Sequence, residues 1–358
     1  MIRVASQPGS RRAARSGRAG AGLLMGLLLL GLGAGCTREA PAPTQSRHGR
    51  FGSLRDLVLI ERTLGEGERA LFVDRFEVTR EDWQQFAARD AGRAAGSGSQ
   101  DTTGDAALPV AQVDLRQARA FARWRFARLP TADEWQLTSV GEVSLQLPWG
   151  LQRDLYPWGS KLDPTRANTS ELGMGDVTPV GTFESGRRSG GETPYDLIGN
   201  VGEWTETVAV AWCSEDFDPV ASLRRCQQRV LRTPALAVWQ GPAGLLPVCF
   251  AAEAGGPLVP RLVMGADFTR PMTEPFEVVA AGDRRRSTGL RLFVSAGELL
   301  RDLGIHRPGL TADEKEQMRR FLRRGRNAEV LGPVWRRLRD SLMGRGPCAK
   351  LLDDELGN

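Results

Sequence analysis

The segment Tyr195 to Trp204, YDLIGNVGEW, sets two carboxylates, Asp196 and Glu203, seven residues apart across a turn that contains Gly199. Hard cations such as Ca²⁺ take oxygen ligands and combine carboxylates with backbone carbonyls, so this spacing makes a candidate cation site. The competing reading has Asp196 cap a turn and Glu203 stand in solvent. Five cysteines carry all the thiols: Cys36, Cys213, Cys226, Cys249 and Cys348. Thiolates hold soft metals and thiols form disulfides, so their placement decides what they can do. None falls between Phe250 and Pro347. Histidine occurs only at His48 and His306, which puts a site built from several histidines out of reach.

The first cysteine has the clearest setting. Arg3, Arg11, Arg12, Arg15 and Arg18 precede an apolar run from Ala21 to Leu32, then Gly33, Ala34 and Gly35 lead into Cys36. A basic start, an apolar core and a small-residue cut site form a secretory signal. The apolar core is shorter than the roughly 20 residues a spanning helix needs. LGAGC, Leu32 to Cys36, resembles the lipobox of bacterial lipoproteins, with Gly33 where that pattern usually has Leu. The resemblance implies cleavage before Cys36, lipid on that cysteine, and a cell-envelope location, lipid-anchored at the outer membrane and facing the periplasm. The alternatives are a plain signal peptide or an uncleaved anchor.

Removing residues 1–35 changes the charge balance. Five of the 48 basic residues lie there and no acidic one does, so 43 of each sign remain. The basic pI therefore belongs to the leader, and no compositional support is left for a nucleic-acid partner. Residues 36–55, rich in Pro, Ser, Thr and charge, are expected to be a flexible tether. Ala91 to Ala106, rich in Gly, Ser, Ala and Asp, is expected to be a surface loop. Cys213, Cys226 and Cys249 fall in one irregular stretch where an oxidising compartment permits a disulfide, with the pairing left open.

Residues 56–296 have the character of one domain. Eight of nine tryptophans lie between Trp83 and Trp239, among short alternating runs and many turn residues. Helices are expected from Arg80 to Arg89 and from Leu115 to Phe126, the second capped by Asp114, whose carboxylate can accept from first-turn amides. Thr131 and Glu134 have capping-box spacing, which turns Trp135 inward. In residues 297–358, Thr311 and Glu314 start a helix with Met318, Phe321 and Leu322 on one face and arginines on the other. A second tail helix is expected to begin with Pro333 in its first turn and to stop at Gly344. From Arg301 onward 13 basic residues face 9 acidic ones. These amphipathic helices either pack back on the domain or meet a membrane surface or a partner.

A resemblance emerges from nine motifs in order: FEVTREDWQQF (Phe76 to Phe86), LPVAQVDLRQARAFARW (Leu108 to Trp124), RLPTADEWQ (Arg128 to Gln136), YPWG (Tyr156 to Gly159), AN (Ala167, Asn168), TPVGTF (Thr178 to Phe183), YDLIGNVGEW, MGADF (Met264 to Phe268) and TGLRLF (Thr288 to Phe293). LPWG, Leu147 to Gly150, is taken as an echo of the fourth. Together they resemble the formylglycine-generating enzyme, or sulfatase-modifying factor, family. The resemblance implies an α+β, C-type-lectin-like domain with much irregular structure, followed here by a helical C-terminal tail. It also implies calcium, with side-chain oxygens from Asp196 and Glu203 and carbonyls from Gly199 and Val201. A second family site would use Asn168 and the carbonyl of Thr169.

Catalysis is where the chain departs from the family. The family's oxidase holds copper with two cysteines close together after a GGSW-like motif, and this chain has no thiol from MGADF through TGLRLF. Soft thiolates suit Cu(I), and nothing else replaces them readily. Copper is therefore not expected and no catalytic residue is assigned. The expected function is a membrane-tethered, non-catalytic binding or scaffolding module. Its partners would be the lipid bilayer through Cys36 and an envelope protein or glycan. The alternative is an oxidoreductase of the family acting on protein cysteine or another substrate through a site not recognised in the sequence.

Overall fold

A computed structural model describes residues 56–61, 70–99, 102–141, 156–190, 192–211, 236–241, 244–251, 260–306, 311–340, 346 and 348–357. The leader, Cys36, the tether, the LPWG echo, Cys213 and Cys226 lie outside the described residues, and for Cys249 only the backbone is described. In order, the elements are β1 (Leu57–Glu61), β2 (Ala70–Asp74), α1 (Arg80–Ala87), α2 (Asp90–Ala94), α3 (Leu115–Trp124) and α4 (Ala132–Val140). After them come β3 (Gly202–Ala211), β4 (Leu236–Gly241), β5 (Gly244–Ala251), β6 (Pro260–Met264), β7 (Phe276–Ala280), β8 (Thr288–Gly289) and β9 (Phe293–Ser295). The α-helices α5 (Ala296–Arg301), α6 (Ala312–Arg323), α7 (Asn327–Arg339) and α8 (Ala349–Leu356) follow among the described residues. The mixed α+β class and the irregular backbone of residues 156–190 agree with the expectation.

Helix starts follow local side-chain chemistry. Thr79 with Asp82, Asp114 with Gln117, Thr131 with Glu134, Ser295 with Glu298 and Thr311 with Glu314 each form a reciprocal capping box. Each box satisfies two first-turn amides that the helix leaves without partners. The two domain helices begin at the expected residues and end two residues earlier than expected. Two expectations need correction. The stretch from Ala91 is no open loop at its start, because α2 and a 3₁₀ turn at Ser97–Ser99 fold against α1, with Trp83 Nε1 donating to the Ser97 carbonyl at 3.1 Å. The second tail helix starts six residues before Pro333 and carries that proline inside. Trp335, Leu331 and Asn327, all buried, hold this face against the core and offset the missing proline amide.

The strands form two sheets, one ordered β1-β2-β9 and the other β4-β5-β3-β6-β7, with β8 running parallel to β3. Alternation in β2 sends Leu71 and Val73 to one side, with Val58, Ile60 and Phe293. Ala70 and Phe72 point to the other side, where Met318, Phe321, Leu322, Leu331, Trp335 and Leu352 meet them. The apolar stripes of the tail thus cover one face of the first sheet. Arg324 adds a polar tie, because its guanidinium and that of Arg75 both reach Glu192, at 3.2 and 3.1 Å. On the second sheet, α1 and α3 bring Trp83, Phe86, Phe121 and Trp124 onto Trp204, Val263 and Val279. No helix among the described residues is long and apolar enough to cross a membrane.

Trp335 tests the tail's share of the core. Its ring is fully buried and its Nε1 donates to Asp353 at 3.0 Å. Trp335→Ala is expected to cost about 3–5 kcal/mol in urea unfolding, the range for deleting a large buried ring. Exposed Arg337→Ala is expected to stay within about 0.5 kcal/mol. Equal small effects would mean the tail helices do not share the domain's core.

Candidate functional site

The segment Tyr195 to Trp204 is a junction of several parts of the chain. Asp196, Gly199 and Asn200 all have positive φ, at 52°, 86° and 62°. Gly199 is the position with no tolerance, since a Cβ there would sit 2.6 Å from the Asn168 carbonyl oxygen. The turn is held from outside. The Gly199 amide donates to the Gly265 carbonyl at 2.7 Å, the Asn200 amide to the Asn168 carbonyl at 2.7 Å, and the Phe268 amide to the Asn200 carbonyl at 3.1 Å. The Asn200 side chain accepts from the Thr178 amide at 2.9 Å and donates to Glu77 at 2.6 Å.

Glu77 was not anticipated from the sequence. Its second carboxylate oxygen accepts from the Val201 amide at 3.0 Å, and the residue is 2% exposed. Burial, with added repulsion from Asp196, holds its carboxyl well above the ordinary range. Asp196 accepts from the Gly181 amide at 2.6 Å. Burial pushes its carboxyl up to about 6, against lowering by that amide and by Arg291.

Glu203 is not the solvated group of the competing reading. It is 1% exposed and accepts from Trp135 Nε1 at 2.7 Å and from Arg291 Nε at 2.8 Å. Arg291 is fully buried and also donates to the carbonyls of Tyr195 at 2.7 Å and Asp74 at 3.1 Å. Burial opposes its charge, but Glu203, Glu77 and Asp196 together hold it above the usual arginine value. Neither Arg291 nor the indole contact stood out in the sequence. The only signal was a lone arginine inside the apolar run LRLF.

These contacts test the fit of calcium. Glu203 does not fit, since a guanidinium and an indole already engage its two oxygens. Among the described residues no three His, Cys, Asp or Glu side chains group to hold a metal. Asn168 fits better. Its Nδ2 faces the Asp176 carbonyl at 2.9 Å and Asn200 Oδ1 at 3.3 Å, which fixes the amide orientation and leaves its buried Oδ1 without a donor. The adjacent Thr169 Oγ1 is likewise buried without a partner, whereas the Thr169 carbonyl already accepts from the Leu172 amide at 3.1 Å.

MGADF passes beneath the same turn. Gly265 and Ala266 have positive φ, at 107° and 57°, and Asp267, 2% exposed, accepts from the Thr269 amide at 2.7 Å. No thiol lies in this segment. Cys348 is buried in the core shared with the tail.

Residues 66–240 match the family model described as Sulfatase-modifying factor enzyme 1-like domain. The chain carries a domain of the formylglycine-generating enzyme family. Its α+β fold is the C-type-lectin-like one that this membership implies. The inactive C-alpha-formylglycine-generating enzyme 2 of Bos taurus is 38% identical over 108 residues, 27% of this chain and 32% of that protein. The formylglycine-generating enzyme of Mycobacterium tuberculosis is 36% identical over 113 residues, 30% of this chain and 36% of that protein. The chain thus spans about a third of the length of the curated relatives it matches. The crystal structure of CarF aligns with 67% of this chain and 98% of its own, at TM-score 0.41 and 15% identity.

The raised Asp196 carboxyl has a consequence with a definite sign. A folded-state value above the unfolded one contributes stability at low pH that is lost as pH rises, here between about 4 and 6. Asp196→Asn keeps an acceptor for the Gly181 amide and removes the buried charge. Its stability relative to the unsubstituted chain is expected to rise from pH 4 to pH 7.5, by at most about 3 kcal/mol for a two-unit shift. Urea unfolding at the two pH values checks this, and a difference independent of pH would show that Asp196 is ionised without penalty.

Proposed function

We propose that this protein is a membrane-tethered, non-catalytic member of the formylglycine-generating enzyme family that binds or scaffolds an envelope protein or glycan. The observation that carries the reading is the lack of any cysteine from Phe250 to Pro347, the segment in which the family's oxidase places its copper ligands. The similarity to relatives named as inactive formylglycine-generating enzyme 2 supports it. Tethering rests on the leader and on Cys36, whose lipid would hold the domain at the outer membrane on the periplasmic side. Calcium belongs to this reading at Asn168, where a buried carbonyl oxygen lacks a donor.

Two experiments bear on it. A sulfatase-type cysteine peptide incubated with the full chain, copper and oxygen is expected to remain unconverted by mass spectrometry. An aldehyde product that disappears in Cys213→Ser, Cys226→Ser or Cys249→Ser would restore the oxidase. Cys36→Ala is expected to release the protein from membranes or block its maturation. Full membrane retention of that variant, with no lipid found on Cys36 in the unsubstituted protein, would end the lipoprotein reading.

A further inference from the structure

We infer that Arg291, and not a metal ion, supplies the positive charge at Glu203, so that the turn from Tyr195 to Trp204 is built without calcium at this carboxylate. The inference is separate from the calcium proposed at Asn168 and replaces only the expectation for Glu203. One Glu203 oxygen receives Nε and Nη2 of Arg291 at 2.8 and 2.7 Å, and the other receives the Trp135 indole at 2.7 Å. Neither donor has an alternative nearby in solvent, because Arg291 is fully buried and Trp135 is 1% exposed.

An indole N–H only donates, so a metal that drew Glu203 away would strand it in the core. The guanidinium cannot retreat either, since the carbonyls of Tyr195 and Asp74 hold it at 2.7 and 3.1 Å. Calcium binds carboxylate oxygens at about 2.3–2.6 Å, which would set a divalent charge either on the oxygen that the buried guanidinium holds or on its partner in the same carboxylate, beside the indole. The neighbouring acids do not open a second route. Both Glu77 oxygens are engaged, by the Val201 amide and the Asn200 side chain, and one Asp196 oxygen holds the Gly181 amide.

The test uses the full chain, stripped with chelator and titrated with CaCl₂ while heat of binding and melting temperature are followed. Glu203→Gln, Asn168→Ala and the charge-free pair Glu203→Gln with Arg291→Met are run beside it. Calcium affinity in Glu203→Gln is expected to stay within about threefold of the unsubstituted chain. A larger weakening would overturn the inference. So would anomalous calcium density within about 3 Å of the Glu203 carboxylate in crystals grown with CaCl₂, and that measurement decides the matter if the variants do not fold. Loss of binding confined to Asn168→Ala upholds both this inference and calcium at Asn168. An unsubstituted chain that binds no calcium upholds the inference while removing calcium from Asn168.

Discussion

A guanidinium with no exposed surface governs how this molecule can be assembled. Arg291 carries five donors into a dry interior, and each must find an acceptor or weigh heavily against folding. The acceptors come from three places: the end of β2 through Asp74, the turn through Tyr195, and β3 through Glu203. Those segments are distant in sequence, and Glu203 itself lies 88 residues from Arg291. One side chain therefore ties the small sheet to the large one. A buried ion pair of this kind often adds little net stability over apolar packing, but breaking it by removing one partner typically costs about 3–5 kcal/mol. Its role is to specify which segments meet.

The turn at Tyr195 to Trp204 is the second half of the same arrangement. Its three positive-φ residues are conformations that isolated side chains resist, Gly199 excepted. They persist because Asn168, Thr178, Gly265, Phe268 and Glu77 each form a hydrogen bond with it. Strain in the turn is thus offset by bonds from loops that would otherwise have buried polar groups unmet. The irregular backbone of residues 156–190 follows from this, because loops that satisfy a turn cannot also pair as strands.

What the sequence made legible was local. Capping boxes, helix starts and inward aromatic residues depend on neighbours three or four positions apart, and those at Asp114, Thr131 and Thr311 are present as read. Pro333 misled because its usual place is the first turn, whereas the buried residues around it keep a kink-prone helix intact. At the site, Asp196 and Glu203 were visible as acids at a turn, and their chemistry was not. Whether a carboxylate meets a metal, a proton or a guanidinium depends on residues such as Glu77 and Arg291, which only tertiary packing brings beside it. An acid between Phe76 and Val78 looks like any alternating strand-end residue until the fold closes over it.

The same logic bears on where recognition can take place. In MGADF the Asp267 carboxylate serves its own turn through Thr269, and the Phe268 amide is spent on Asn200. Groups that satisfy one another inside the fold stabilise it and present nothing to a ligand. The proposed binding role would have to draw on what remains outside, such as Leu162 and Met174, which are 49% and 54% exposed. Met174 stands between two glycines of positive φ on a loop with open space around both. Sequence there can change without disturbing the buried carboxylates and guanidinium.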